Sequence, residues 1–332
     1  MTLNSNIRHQ KFDVVGIGNA IVDILIQTED SFLEKHSLKK GSMALLNDDD
    51  AEKLYSSIGA GLESSGGSAA NTLAGLAQLG SKAGFIGRVR NDQLGEIFTH
   101  DIRSAGARFD TTPKTSGPPT ARCLIFVTPD AQRTMCTYLG ASVFLDPEDL
   151  DLSMVKQTKI LYLEGFLWDH PAAKRAFIAA AKACKDSGGK VALSLSDSFC
   201  VERHRKSFLA LVEEHIDILF ANEAEITSLY EVKEFHEAIS KVRNRCEIAA
   251  LTRGEKGSVI LSEKEHIEID SYKFGPLIDT TGAGDLYAGG FLNGYTTGQS
   301  LLKCGEIASI CAGHIVTQLG PRSRVSLKNL VS

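Results

Sequence analysis

Apolar positions change their spacing several times along the chain, and each change marks an element. Phe12-Asp-Val-Val-Gly-Ile-Gly18 is a short apolar run closed by glycine, the pattern of a buried strand. A second extended piece follows through Asp23 into Ile24-Leu-Ile-Gln, and Gly41 to Leu46 reads as another strand. From Asp48 to Ser57, acidic residues lead and Ala51, Leu54 and Tyr55 recur at helical spacing. The stretch from Gly66 to Gly80 predicts a glycine turn feeding an Ala/Leu helix that a glycine also ends. A strand at Ala83–Gly87 and a helix from Asp92 to Ala105 come next. Two β-rich runs then flank Pro129-Asp-Ala-Gln132, which reads as a hairpin.

From about Lys159 the pattern becomes a regular alternation. Strand candidates begin at Ile160, Lys190, Ile216 and Ile248, with helices such as Pro171 to Ser187 between them. That alternation predicts a mainly parallel sheet covered by helices on both faces. Ser258-Val-Ile-Leu-Ser and His266-Ile-Glu-Ile-Asp read as an antiparallel extension, and the last 50 or so residues as mostly helical. The pieces at about 21–28, 41–46, 120–128 and 133–139 do not fit the alternation. Either they extend the main sheet, or they form a small sheet that covers a site as a lid and excludes water.

The most informative segment is Asp279-Thr-Thr-Gly-Ala-Gly-Asp285, followed by the apolar Leu-Tyr-Ala-Gly-Gly-Phe-Leu. Gly282, Ala283 and Gly284 expose backbone N–H groups with little side-chain obstruction, at a helix N-terminus that carries partial positive charge. This is a site for an anion, most naturally a phosphoryl group. Asp285 sits in the first turn beside it, where a carboxylate accepts the proton of an attacking hydroxyl. A glycine turn with a helix-capping Asp accounts for the four residues Gly-Ala-Gly-Asp equally well on their own.

Further candidates are spread along the chain. Asn19 and Asp23 are four residues apart near the end of the first strand, where ligands bind in open α/β sheets, and an Asp there accepts from two neighbouring hydroxyls. Gly66, Gly67 and Asn71 are a Gly-Gly turn and an amide one helical turn later. Asn222-Glu-Ala-Glu225 follows a strand and is also readable as a capping box. Thr252-Arg-Gly-Glu-Lys-Gly257 is a glycine loop after another strand, and Arg133 follows the hairpin turn.

Taken together, these motifs resemble the ribokinase-like (PfkB-type) carbohydrate and nucleoside kinases from Gly16 to about Pro321. The signature around Asp285 is the most specific; Gly-Asn-x-x-x-Asp, Gly-Gly-Ser-x-x-Asn and Asn-x-x-Glu support it. The resemblance implies a three-layer α/β/α fold with a mainly parallel central sheet and a small discontinuous β lid. It assigns about 10–20, 47–117 and 140–330 to a large domain and about 21–46 and 118–139 to the lid, in a single unit. It implies an ATP-dependent kinase with Mg²⁺ and, in parts of the family, a monovalent cation such as K⁺ near Asp279 and Thr281. Asp285 would be the base, with Gly282, Ala283 and Gly284 as anion hole and Arg133 as a lid cation. Asn19, Asp23, Gly66, Gly67 and Asn71 would hold the substrate. Asn222, Thr252, Gly254, Gly257 and Thr281 would meet the nucleotide; Asn222 and, through water, Glu225 would serve the metal.

Asn19/Asp23, Gly67/Asn71 and Arg133-Thr-Met-Cys-Thr-Tyr-Leu are more similar to the nucleoside branch, adenosine above all. A nucleoside needs a flat apolar slot, for which Tyr138, Leu139 and Phe166 are candidates. Thr281 stands where the eukaryotic members have Asn, which keeps a sugar acceptor such as ribose or fructose in view, and a non-catalytic nucleoside or nucleotide sensor is the reading from another class.

Composition narrows the alternatives. A net charge of -5 without basic blocks argues against nucleic-acid binding. The seven cysteines form no Cys-x-x-Cys pair and read as buried free thiols. With no signal-like N-terminal run and no membrane-length apolar stretch, the expectation is a cytoplasmic protein, monomer or homodimer, off the membrane. Gly16-x-Gly18 lacks the third glycine of a dinucleotide site because position 21 is Ile. There is no P-loop and no His-x-x-x-His pair.

Overall fold

The computed structural model describes residues 11–130 and 132–331. In chain order its first part comprises β1 (Phe12–Ile17), β2 (Ile21–Gln27), α1 (Asp30–Lys35), β3 (Met43–Leu45), α2 (Asp48–Ser56), β4 (Leu62–Gly66), α3 (Ser68–Gln78), β5 (Ala83–Ile86), α4 (Gln93–Ser104), β6 (Arg108–Phe109), β7 (Ala121–Val127) and β8 (Arg133–Tyr138). The second part comprises α5 (Leu152–Val155), β9 (Thr158–Glu164), α6 (Pro171–Lys185), β10 (Lys190–Ser194), α7 (Ser198–His215), β11 (Ile218–Asn222), α8 (Glu223–Tyr230), α9 (Phe235–Val242), β12 (Ile248–Thr252), β13 (Ser258–Ser262) and β14 (His266–Ile269). Helices α10 (Ala283–Thr296), α11 (Leu301–Ile315) and α12 (Lys328–Val331) close the chain.

Nine strands make one sheet in the order β14-β13-β12-β11-β10-β9-β1-β5-β6. Pairing is parallel from β6 to β12 and antiparallel at β12–β13 and β13–β14, as the sequence pattern predicts. The central strands are apolar along their whole length because helices bury both faces. One core layer packs Leu161, Leu163, Val191, Leu193 and Leu219 with Ala173, Phe177, Phe208 and Leu229 of α6, α7 and α8. The other packs Val14, Ile160, Tyr162, Ile218 and Phe220 with Leu73, Phe98, Phe291 and Ala308 of α3, α4, α10 and α11. The helix starts follow the side chains available to cap them: Asn47, Asp92, Asp197 and Ser300 each accept a backbone N–H of the first turn.

The irregular pieces form a second sheet, ordered β3-β8-β7-β2-β4. Strand β4 has no counterpart among the elements the sequence predicts, and 62–66 falls within the stretch 47–117 expected in the large domain. Leu-Glu-Ser-Ser-Gly has little strand propensity, and its pairing with β2, from Ile21↔Gly66 to Leu25↔Leu62, comes from tertiary context. The Arg133–Tyr138 strand pairs antiparallel with β7 across the expected hairpin. All seven cysteines are free, and six are buried. Among the described residues no helix is long and apolar enough to cross a membrane.

Candidate active site

The N-terminus of α10 is built on Gly282, which caps it in the left-handed region at φ 80°. A Cβ there would lie 2.7 Å from Cβ and 2.8 Å from Cα of Pro321, so glycine is required both by conformation and by space. The N–H groups of Gly282, Gly284 and Asp285 meet no acceptor among the described residues, and Gly284 is exposed. Ala283 departs from the expectation: its N–H donates to the Thr280 carbonyl at 3.1 Å, which removes it from the anion hole. The remaining open donors and the helix dipole are the features that an anion would fit.

Asp285 is half-buried and held from both sides by α3. Ser68 Oγ donates to Asp285 Oδ1 at 2.6 Å, and Asn71 Nδ2 donates to Oδ2 at 3.0 Å. Asn71 thus touches the candidate base directly, and its buried Oδ1 has no partner. Loss of water pushes the Asp285 carboxyl up to about 6, against the lowering effect of Ser68, Asn71 and Arg322. A base poised there is ionised at neutral pH yet readily protonated.

The Asp23 carboxylate, on β2, makes no hydrogen bond among the described residues, although the residue is half-buried. Its carboxylate lies against Gly66, where a Cβ would come within 2.3 Å of Cγ. Burial raises Asp23 to about 7, Arg322 and Arg133 pull it down, and Asp285 pushes it up. A carboxylate left uncommitted in such a place is ready for a ligand's hydroxyls. Gly66 therefore makes room for Asp23. Gly67, at φ 94°, lets the chain pass the Asn19 carbonyl, 2.3 Å from where a Cβ would stand.

Asn19 departs from its expected role as a substrate ligand. It is 1% exposed, its Nδ2 donates to Glu164 Oε1 at 2.7 Å, and its Oδ1 accepts from Ser142 Oγ at 2.9 Å. Glu164, at the end of β9, also accepts the Asn19 N–H at 3.3 Å and the Ala69 N–H at 2.8 Å. It thereby joins the end of β1 to the first turn of α3, which carries Ser68 and Asn71. Burial raises Glu164 to about 7, with these hydrogen bonds opposing the shift. Because its folded pKa is raised, the proton favours the native state; this contribution is full below the ordinary carboxylate range and is lost as pH rises through about 7. Glu164→Gln mimics the protonated form. It is expected to flatten the fall in unfolding temperature between pH 5 and pH 8; equal pH slopes in thermal melts of both proteins would exclude the effect.

Sheet register decides what faces Asp23. Asp23 pairs with Cys123, which pairs with Thr137, so these three share one face of the second sheet with Met135 and Arg133. Tyr138 falls on the opposite face, a correction to its expected place in a base slot. It is buried beside Arg122, whose guanidinium carbon lies 5.9 Å from the Tyr138 ring and 4.9 Å from that of Tyr55. A one-residue step along a strand reverses the face. Phe166 sits just past β9, half-buried and outside both main core layers, next to Glu164.

Arg133 reaches from β8 to the segment before the anion hole. Its Nη2 lies 2.8 Å from Asp279 Oδ2, and its Nη1 donates to Thr281 Oγ1 at 3.2 Å. Asp279 also accepts the Gly320 N–H at 2.8 Å, and the Thr281 N–H and hydroxyl at 3.1 and 2.8 Å. Donors surround this carboxylate, an arrangement that opposes the monovalent-cation site expected at Asp279 and Thr281: a cation needs oxygens with lone pairs directed at it.

On the nucleotide side, Asn222 and Thr252 are cross-strand partners at the ends of β11 and β12. Gly254 and Gly257 have φ of 57° and 81°, as a tight loop requires. Tyr287, two residues beyond Asp285, donates to Ser258 Oγ at 2.8 Å and so docks α10 against this loop. Asn222 and Glu225 close on each other in a capping box: Asn222 Nδ2 donates to Glu225 Oε1 at 2.6 Å, and the Glu225 N–H returns to Asn222 Oδ1 at 2.8 Å. Burial raises Glu225 to about 7, so the box is also a buried carboxylate. No group of three metal-ligating side chains occurs among the described residues. Mg²⁺ that keeps much of its hydration would fit this donor set, and Asn222 and Glu225 would be the residues to hold its water.

The family model for pfkB family carbohydrate kinases matches residues 48–328. The chain belongs to this family. Among solved structures, the adenosine kinase from Sinorhizobium meliloti is 50% identical with a TM-score of 0.89, over 96% of this chain and 98% of that one. A probable sugar kinase from Rhizobium etli CFN 42 is 48% identical with the same TM-score of 0.89, over 96% and 97%. The adenosine kinase of Saccharomyces cerevisiae is 25% identical over 93% of this chain and 96% of its own length.

Four residues of this pfkB-family kinase have contacts that the sequence pattern does not reveal. Ser68 belongs to the Gly-Gly-Ser-x-x-Asn motif, but nothing in the pattern ties it to Asp285, 217 positions away. Glu164 reads as the polar end of a strand. Cys123 and Thr137 read as lid packing, and only the register puts them beside Asp23.

Proposed function

We propose that the protein transfers the γ-phosphoryl group of ATP to the 5′-hydroxyl of a nucleoside, adenosine in the first instance. One observation carries this reading: Asp285, fixed by Ser68 and Asn71 at a helix N-terminus with open N–H groups, shares its pocket with the uncommitted carboxylate of Asp23. Asp23 would accept the ribose hydroxyls and leave the 5′-hydroxyl at Asp285. Asp285 takes that proton as the oxygen attacks phosphorus; the N–H groups of Gly282 and Gly284 meet the charge gathering on the phosphoryl oxygens. Arg133 belongs to the strand that would close over the transfer, where its charge adds to theirs. Magnesium arriving with ATP supplies counter-charge to the phosphates, and Asn222 and Glu225 would hold its water. Phe166, Met135 and Thr137 would border the base.

The likeness to the Sinorhizobium adenosine kinase favours a nucleoside. The likeness to the Rhizobium probable sugar kinase, nearly as strong, favours a second reading in which a free sugar is the acceptor. An ADP-release assay with Mg-ATP separates them, using adenosine, inosine, guanosine, cytidine, ribose and fructose. The expected result is turnover of adenosine far above that of the sugars. Turnover of ribose or fructose with adenosine inert would replace the acceptor and leave the chemistry at Asp285 standing. Nucleoside binding with no turnover of any acceptor would make the protein a sensor.

A further inference from the structure

One charged group in the pocket has no part in that chemistry. The segment after α11 returns to the anion hole: the Gly320 N–H donates to Asp279, Pro321 packs on Gly282, and the next residue is Arg322. Arg322 Nη2 donates to the carbonyl of Ser65 at 3.0 Å and to its hydroxyl at 2.9 Å. Ser65 is fully buried in β4, and its own N–H donates to Asp101 Oδ2 of α4 at 2.7 Å. The guanidinium is therefore fixed at one corner. Its Nε and Nη1 are buried and have no hydrogen-bond partner among the described residues. Around it stand the carboxylates of Asp23 from β2, Asp101 from α4 and Asp285 from α10. Arg133 also acts on Asp23, and Glu164 is close enough to feel Asp285. His314 is on the far side of this segment, within hydrogen-bond distance of Ser323 at 3.0 Å.

A buried guanidinium with unused N–H groups is costly unless neighbouring negative charge compensates it. Two carboxylates in one water-poor pocket have the converse problem: without a cation between them, one takes up a proton. Phosphoryl transfer needs both ionised at once, Asp23 to accept the substrate's hydroxyls and Asp285 to take the proton. We propose that Arg322 is a positioning residue of this site, the fixed counter-charge that lets Asp23 and Asp285 be ionised together and that joins lid strand β4 to the anion hole. The Arg322–Ser65 bond makes the charge depend on the lid: if β4 moves, the guanidinium loses its anchor. This inference rests on the reading of Asp23 and Asp285 as substrate clamp and base.

The test is the pH dependence of kcat/KM for adenosine with Mg-ATP, in wild type, Arg322→Gln, Arg322→Lys and Ser65→Ala. Arg322→Gln is expected to move the acid limb up by about one pH unit, because an opposite charge has been removed from beside the base. Its neutral-pH rate should fall by about tenfold or more, with part of the loss regained at higher pH. Arg322→Lys keeps the charge and should keep the acid limb near the wild-type position, though its rate falls for want of the forked contact to Ser65. Ser65→Ala removes one of the two anchors and should move the limb part of the way. A uniform loss in Arg322→Gln at every pH, with the limb unmoved, would overturn the proposal and leave Arg322 a packing residue. If Arg322→Gln does not fold, a wild-type profile in Ser65→Ala overturns it instead. A wild type that turns over no acceptor at any pH would count against the kinase reading itself, a separate outcome.

Discussion

Asp285→Asn should lower kcat by roughly 10²- to 10⁴-fold, the usual worth of a positioned general base. The substitution changes one oxygen for an amide and leaves the first turn of α10 in place. The Asn71 amide loses its charged acceptor, and Ser68 can rotate its hydroxyl to the new side chain. Burial already opposes the charge on Asp285, so the unfolding temperature should hold or rise. ATP binding should change little. The decisive pair of measurements is steady-state ADP release and a thermal melt. A fall in kcat with a matching collapse of the melt would mean that the residue supports the fold, and near-wild-type turnover would remove it from the base role.

The second large effect is expected at Asp23. Asp23→Ala deletes a carboxylate whose side chain has no hydrogen bond among the described residues; the fold gives up its attraction to Arg322 and Arg133, which the burial of its charge outweighs. Two hydrogen bonds from a ribose to a charged acceptor are together worth about 3 to 4 kcal/mol, roughly 10²- to 10³-fold in kcat/KM. The loss should fall on the nucleoside and spare the KM for ATP, since Asp23 is on β2 of the second sheet whereas Asn222 and Thr252 end β11 and β12 of the nine-stranded sheet. Stability should be unchanged or improved because a half-buried charge is gone. Initial rates at varied nucleoside and varied ATP measure this split; an equal rise in both KM values would contradict the assignment.

What could be read from the sequence and what could not follows from the range of the interactions. The open N–H groups at the start of α10 were legible because they are local: Gly282, Gly284 and Asp285 are neighbours, and a glycine turn opening a helix fixes their geometry within four residues. The parallel sheet was legible because burial on both faces writes continuous apolar runs. Ala283 illustrates the limit of even a local motif, since one turn hydrogen bond to Thr280 takes its N–H out of the site. Tyr138 and Asn19 failed for a longer-range reason. The face of β8 is set by register with β7 and β2, and the partners of Asn19 lie 145 and 123 positions away, at Glu164 and Ser142. Arg322 is one of two arginines close together in the tail, and only the return of the chain to Gly282 gives it these neighbours.

The distance between Asp285 and the residues that hold it also bears on how the protein is made. Ser68 and Asn71 leave the ribosome more than 200 residues before the carboxylate they will bind. Until α10 and α11 emerge, the face of the sheet with Tyr162, Phe220 and Ile218 is covered only in part, by α3 and α4. The last cover over that apolar face and the catalytic base travel on the same helix. Nascent chains therefore gain the candidate base and the rest of that cover in a single step, and a chain interrupted before position 283 has the partial cover of α3 and α4 alone.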